Sequence, residues 1–327
     1  MIIDFHTHMF PDKIAGRTLD YLSGIFGASP FADGTYTGLC NSMGKGAVDI
    51  SIALPAVTKV SQVAAINRFA SAYTEGPVIS FGGIHPECEN YKEILKEIKN
   101  LGLKGIKLHP DYQDMYFDNI RYERIIDAAS ELGLITVVHA GVDPKCPEDV
   151  HCTPEMARKV LDDVKPEKLV LAHMGGNEMW DDVERYLVGQ NVYFDTGVIL
   201  NTMPQEQFLR IVHMHGADRI LFGTDSPWAD QKNFVALLEH MPLTEEENKY
   251  ARNPLTHVDF LLFNQIDKQP MLAIEVDGTG FHEAGSKQAE RDIKKNSILE
   301  KCAVPLLRLR TDGSGEKEKI RNALKRE

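Results

Sequence analysis

With 327 residues, 43% of them hydrophobic and 26% charged, the chain can bury a large core and has an ordinary globular composition. Its formal net charge of −12 argues against binding nucleic acid through bulk charge, and no apolar run reaches the length of a membrane span. Five scattered cysteines (Cys40, Cys88, Cys146, Cys152, Cys302) make no disulfide framework and no signal peptide is visible, so reduced thiols and a cytoplasmic location are expected.

The first expected strand, Ile2–His8, contains Asp4-Phe5-His6-Thr7-His8. Side chains alternate along a strand, so His6 and His8 share a face and can pinch a divalent cation. A long excursion from Met9 to about Lys45 follows, with a helix expected near Ala15–Ile25. Further strands are expected at Ile50–Val57, Val78–His85, Gly105–His109, Ile135–His139, Leu169–His173, Val192–Thr196 and Ile220–Phe222. Helical stretches fall between them, at about Gln62–Thr74, Tyr91–Leu101, Tyr122–Leu132, from Thr153-Pro154 onward, and at Gln205–His213 and Gln231–His240. Gly102 and Gly133 stand where C-terminal caps belong, and Thr153-Pro154 has a cap residue followed by a first-turn proline.

Eight apolar strands alternating with helices predict an α/β fold, a (β/α)₈ TIM barrel over residues 1–247. His6 and His8, His85, His109, His139, His173 and Asp225 stand at or just beyond the C-terminal ends of strands, the rim that carries active sites in such barrels. His6, His8, His139, His173 and Asp225 are therefore the expected metal ligands, with Zn²⁺ first and Fe²⁺ or Mn²⁺ as alternatives, as one ion or two. Asp225 is the expected proton carrier for a metal-activated water. His173 either ligates a second ion or stays neutral and holds the substrate or the water. Lys107 and His109 share a face. The lysine either binds an anionic substrate group, pairs with a carboxylate, or bridges two ions as a carbamate. His85 is expected to touch substrate or a ligand. Cys146, His151 and Cys152 lie close in sequence, but their spacing fits no standard zinc pattern.

These stretches together resemble the amidohydrolase superfamily: Asp4-Phe5-His6-Thr7-His8, Gly105-Ile106-Lys107-Leu108-His109-Pro110, Val138-His139-Ala140-Gly141, Ala172-His173-Met174-Gly175-Gly176 and Phe222-Gly223-Thr224-Asp225-Ser226-Pro227. Over residues 1–245 they are most similar to the branch containing aminocarboxymuconate-semialdehyde decarboxylase. The resemblance implies a divalent metal at His6, His8, His139 and Asp225, with His173 as second ligand or catalytic histidine. It also implies a small-molecule substrate, and either hydrolysis or nonoxidative decarboxylation.

The pattern changes after about residue 250. Residues 251–327 carry 14 Lys+Arg against 12 Asp+Glu, so the acidity lies in the first 250. The tail reads as strand (His257–Phe263), strand (Met271–Val276), helix (Ser286–Lys301) and strand (Val304–Leu309). Asp259, Glu275 and Asp277 are candidate carboxylates for Mg²⁺. Val258-Asp259-Phe260-Leu261, Ala273-Ile274-Glu275-Val276-Asp277-Gly278, His282, Gln288 through Asp292, and Pro305-Leu306-Leu307-Arg308 resemble part of the restriction-endonuclease-like domain found at helicase C-termini. The resemblance departs where Asp277 replaces the expected lysine. The helix that closes comparable barrels is not recognisable in residues 245–253. A fused architecture is expected, with nucleic acid a partner only through this tail, no membrane contact, and a homodimer as the oligomer considered.

Overall fold

The computed structural model describes residues 1–239, 259–263, 270–277, 287–301, 304–311 and 314–324. His240, His257, His282, Cys302 and residues 245–253 lie outside the described residues, as do the side chains of Asp277 and Gln288. The chain divides into two compact units, Met1–Leu237 and Leu238–Glu327.

In the first unit β1 (Ile3–Thr7), β2 (Ile50–Ala53) and β3 (Val78–Ser80) pair in parallel. So do β4 (Gly82–Gly83), β5 (Gly105–Leu108), β6 (Ile135–Val138), β7 (Leu169–Leu171), β8 (Tyr193–Asp195) and β9 (Ile220–Leu221). Only Phe81 separates β3 from β4, so the two form one interrupted stave; its N–H donates to Ala53 O at 2.9 Å. Phe5 N donates to Phe222 O at 2.7 Å and Thr7 bridges Ser226, which joins the last stave to the first. Eight parallel staves thus close into a (β/α)₈ barrel. Ile52, Leu54, Phe81, Val137 and Val170 form one of its buried clusters, with Phe5 and Tyr193 packed against it.

The closing seam is polar. Asp4 is fully buried, and its carboxylate accepts from Thr224 N, Thr224 Oγ1, Gln231 Nε2 and His6 N. Burial pushes its pKa up to about 6 against the pull of these donors. The network ties the first strand to the turn that carries Asp225 and to the start of the last helix of the unit.

The helices are α1 (Asp12–Phe26), α2 (Tyr36–Gly46), α3 (Val63–Ala70), α4 (Tyr91–Asn100), α5 (Pro110–Gln113), α6 (Ile120–Glu131), α7 (Pro154–Val164), α8 (Trp180–Tyr186), α9 (Gln205–His215) and α10 (Gln231–Glu239). The sequence reading leaves out α2, α5 and α8. Helix α2 carries Gly38, Gly44 and Gly46, which lower its intrinsic propensity. Thr35 nevertheless caps Gly38 N at 3.0 Å, and Leu39 and Met43 are buried one turn apart. The expected strands overrun the observed ones by one to four residues. The histidines at their ends are already in turn geometry: His109 precedes α5 and His173 sits at φ 60°.

In the second unit β10 (Phe260–Phe263) pairs antiparallel with β11 (Pro270–Asp277), and β12 (Leu306–Arg310) pairs parallel with β11. Helices span Lys287–Lys301 and Glu316–Ala323; the second has no counterpart in the sequence reading. Leu272, Ile274 and Leu309 form its buried cluster, with Leu262, Leu307 and Ile320 against it.

Candidate metal centre and active site

Histidine tautomers, assigned from their hydrogen-bond partners, decide what the barrel mouth can hold. His8 Nδ1 faces Leu54 O at 2.7 Å. A carbonyl only accepts, so this nitrogen carries the hydrogen and neutral His8 keeps a lone pair on Nε2. His6 Nδ1 faces Asp195 Oδ2 at 3.0 Å. Burial would raise the Asp195 carboxyl, but His6, His173 and Lys107 overcome it and leave the pKa at about 2, so the group accepts as an anion. Burial lowers His6 to about 4, so the ring is neutral at pH 7 with its Nε2 lone pair free.

Both free lone pairs meet Asp225. His8 Nε2 lies 2.9 Å and His6 Nε2 3.5 Å from Asp225 Oδ1. Burial pushes the Asp225 carboxyl up, yet the surrounding His6, His8 and His173 rings hold it well below the usual carboxylate range. With both rings in these neutral tautomers three lone pairs converge, and Asp225 Oδ1 is shielded from solvent. Donor atoms tetrahedral around an ion with bonds of ~2.1 Å sit roughly 3.4 Å apart. The donor set and its spacing fit a divalent cation.

His139 is not in that triangle. His173 Nδ1 faces Gly197 O at 2.9 Å and so carries the hydrogen; its Nε2 faces His139 Nδ1 at 3.0 Å. With His173 neutral, His139 donates from Nδ1 and its buried Nε2 is left bare. That nitrogen lies 3.6 Å from Asp143 Oδ2 and 3.9 Å from Asp111 Oδ2. His109 Nε2 is also 3.6 Å from Asp143 Oδ2, so His109, His139 and Asp143 form a second donor cluster. The His109 and His139 rings stack at 4.2 Å and 8°, however. An ion lies in the plane of each imidazole it binds, and two parallel planes share no such point without a ring turning.

Backbone strain and close packing build this rim. Positive φ occurs at His173, Met174, Glu178, Val198 and Asp225, residues other than glycine that rarely adopt it. Gly197 and Gly223 leave no room for a side chain: a Cβ would lie 2.8 Å from His6 Nδ1 at the first and 2.8 Å from His6 Cβ at the second.

The mouth opens into a cavity of about 290 Å³. His6, His8, His139, His173 and Asp225 line it, with Phe10, Phe26, Val142 and Trp228 among its apolar walls. Lys107 and His109 also line it. Lys107 is 1% exposed and its Nζ makes no hydrogen bond; burial lowers its pKa to about 8 against the pull of Asp195 and Asp225. Burial and the Lys107 charge hold His109 well below its usual value.

His85 is buried outside the cavity lining, its Nδ1 accepting from Glu87 N at 3.3 Å. Cys146 and Cys152 join no donor cluster among the described residues, and His151 pairs instead with Asp111 at 3.2 Å. In the second unit Asp259 accepts from Val276 N at 2.6 Å and Glu275 pairs with Lys295 at 2.9 Å. No donor cluster contains either carboxylate among the described residues. Asp195, Asp143 and Tyr112 are absent from the sequence reading. Asp195 ends a strand just as the histidines do, so the same end-of-strand test would have found it.

No curated protein matches the chain at a significant level. Solved structures share the barrel. An uncharacterized TIM-barrel protein from Bordetella bronchiseptica is 20% identical with a TM-score of 0.57, covering 75% of this chain and 92% of that one. A 2,6-dihydroxybenzoate decarboxylase from Rhizobium is 15% identical with a TM-score of 0.57, covering 75% and 94%. A 5-carboxyvanillate decarboxylase from Novosphingobium aromaticivorans, solved with manganese and a nitrobenzoic acid, is 14% identical with a TM-score of 0.56, covering 75% and 92%. At these identities the likeness is one of fold. A family model described as "Protein of unknown function (DUF2726)" matches residues 233–327. The model described as "Amidohydrolase" matches residues 3–251, the stretch that carries every donor at the barrel mouth, and the chain belongs to that enzyme family.

Proposed function

We propose that the barrel is a metal-dependent enzyme that hydrolyses a bond at a carbonyl carbon of a small molecule carrying an anionic group. The observation that carries this is the convergence of His6 Nε2 and His8 Nε2 on Asp225 Oδ1, at 3.5 and 2.9 Å, with both Nδ1 atoms turned to other acceptors. His6, His8 and Asp225 would hold the ion, with His139 and His173 as the remaining imidazoles of the mouth. A divalent ion there polarises a carbonyl oxygen and makes water more acidic. Imidazole and carboxylate donors suit zinc, iron or manganese.

The chain's own groups account for the proton movements. Asp225 is an anion and takes the proton from the attacking water, then returns it to the leaving group. His173 Nε2 accepts the hydrogen of His139 Nδ1, so His139 can pass that proton to His173 while taking one up at its own bare Nε2. Lys107 is a buried cation without a partner, which suits it to hold the substrate's anionic group. His109 flanks that group.

Decarboxylation is the second reading. The apolar cavity walls favour it, and so do the decarboxylases among the solved barrels. In that case the carbon that loses carbon dioxide takes up a proton that Asp225 or His173 first draws from water. Product analysis in ¹⁸O-water across amides, lactones and aromatic acids separates the two. Label in the product identifies hydrolysis; carbon dioxide released with no label incorporated discards it.

We read residues 251–327 as a partial restriction-endonuclease-like unit fused to a barrel of 1–247. Its three-stranded sheet supports the fold. The engagement of Asp259 by backbone and of Glu275 by Lys295 speaks against nuclease chemistry, because one oxygen of each carboxylate is already held.

A further inference from the structure

Tyr112 sits in α5, the short turn that starts where β5 ends. Its N–H donates to His109 O at 3.0 Å. The next residue, Gln113, locks the turn: its Nε2 donates to Val57 O and Ile84 O, and its Oε1 accepts from His109 N. The Tyr112 ring stacks on His109 at 3.8 Å and 9°, and Lys145 Nζ lies 5.2 Å from the ring centre. The ring is thus fixed from several sides. Its hydroxyl, by contrast, is shielded from solvent and has no hydrogen-bond partner.

Buried hydroxyls in native proteins are almost always paired, and one that is not points to a ligand. This barrel follows the rule elsewhere: the buried Tyr122 hydroxyl donates to Gln113 Oε1 at 2.8 Å. Tyr112 lines the same cavity as His8, Lys107 and Asp225. Burial and the Asp143, Asp225 and Asp111 carboxylates push its pKa well up, so the phenol keeps its proton at every working pH. The cavity therefore presents two unpaired buried donors, the Lys107 ammonium and the Tyr112 hydroxyl. Their complement is an oxygen with negative charge.

We propose that Tyr112 is a substrate-contacting residue whose hydroxyl, in the cavity that Lys107 also lines, donates to an anionic oxygen of a small carboxylate, an assignment that rests on reading this cavity as the active site. The stacked His109 ring and the apolar walls leave the rest of the ligand an apolar slot.

The test uses the full chain saturated with manganese, titrated calorimetrically with benzoate and with benzyl alcohol as the uncharged control. A hydrogen bond to a charged group is strong enough that Tyr112→Phe should weaken benzoate binding about tenfold or more. The variant keeps the stack on His109 and removes only an unpaired hydroxyl, so its Tm and metal content should match the parent protein. The proposal is overturned if Tyr112→Phe binds benzoate as tightly as the parent. Melting several degrees lower would also overturn it, by revealing a structural partner for the hydroxyl. So would a parent protein that takes up no benzoate, or binds benzyl alcohol equally well. Metal content on the same samples reports on the metal reading separately. Protein that binds benzoate through Tyr112 yet holds no ion supports this proposal and overturns that one.

Discussion

His6, His8 and His173 show how one hydrogen bond sets the use of a ring. Each spends its Nδ1 hydrogen on a fixed acceptor, Asp195, Leu54 O and Gly197 O respectively, which leaves Nε2 as an acceptor, facing Asp225 in His6 and His8 and taking the His139 hydrogen in His173. Asp225 meets two of these lone pairs as an anion. Replacing it by Asn keeps an oxygen donor in place but removes the proposed proton acceptor. We expect Asp225→Asn to retain most of its metal while turnover falls by about 10²–10⁴-fold, the range that acid-base groups contribute. Metal analysis beside steady-state rates checks this, and intact turnover would remove Asp225 as the proton carrier. The identities of the ring residues were legible in the sequence because histidine is scarce and falls at strand ends. Their tautomers were not, since Leu54 O, Asp195 and Gly197 become neighbours only when the barrel closes.

Elements place these side chains, and their stability has its own signature. Helix α9 ends in His215, which is buried on Phe194 with the rings 4.2 Å apart. Its Nε2 donates to Val192 O at 2.8 Å and its Nδ1 accepts from Gly189 N at 3.1 Å. Burial lowers its pKa, and protonation would cost the bond from Gly189. The unfolded value is about 6.5. This histidine's contribution is therefore complete above about pH 6.5 and is lost as pH falls through the lower folded value. Urea unfolding across pH 4–7 should show a fall in stability on the acid side that is smaller in His215→Gln; equal slopes in the two proteins would contradict the assignment. Periodicity found the longer helices around the barrel, such as α4 with buried Leu95 and Ile98. It missed α5 and α8, whose four and seven residues are too few to display a repeat, and α2, whose glycines argue against a helix until the cap and the buried face are seen.

At the scale of the molecule, eight-fold alternation of strand and helix fixed the barrel before any site was considered, and a parallel barrel puts every strand's C-terminal end on one rim. That is why histidines more than 150 residues apart in sequence, such as His6 and His173, come to lie with ring centres 5.2 Å apart. The buried Asp4, Thr224 and Gln231 network at the seam was not legible, because a strand residue and, more than 200 residues away, a turn residue and a helix start become neighbours only when the barrel closes. The C-terminal unit follows a separate pattern, a three-stranded sheet whose cluster is built from its own strands and helix. The central claim is that His6, His8 and Asp225 together bind a divalent cation at the mouth. Manganese or zinc titration of the metal-stripped chain tests it most directly. The account predicts at least one ion bound per chain, binding about 10–100-fold weaker in Asp195→Asn because His6 loses its anchor, and no specific binding in His8→Ala. A parent chain that takes up no ion, or a His8→Ala chain that binds as tightly as the parent, would contradict it.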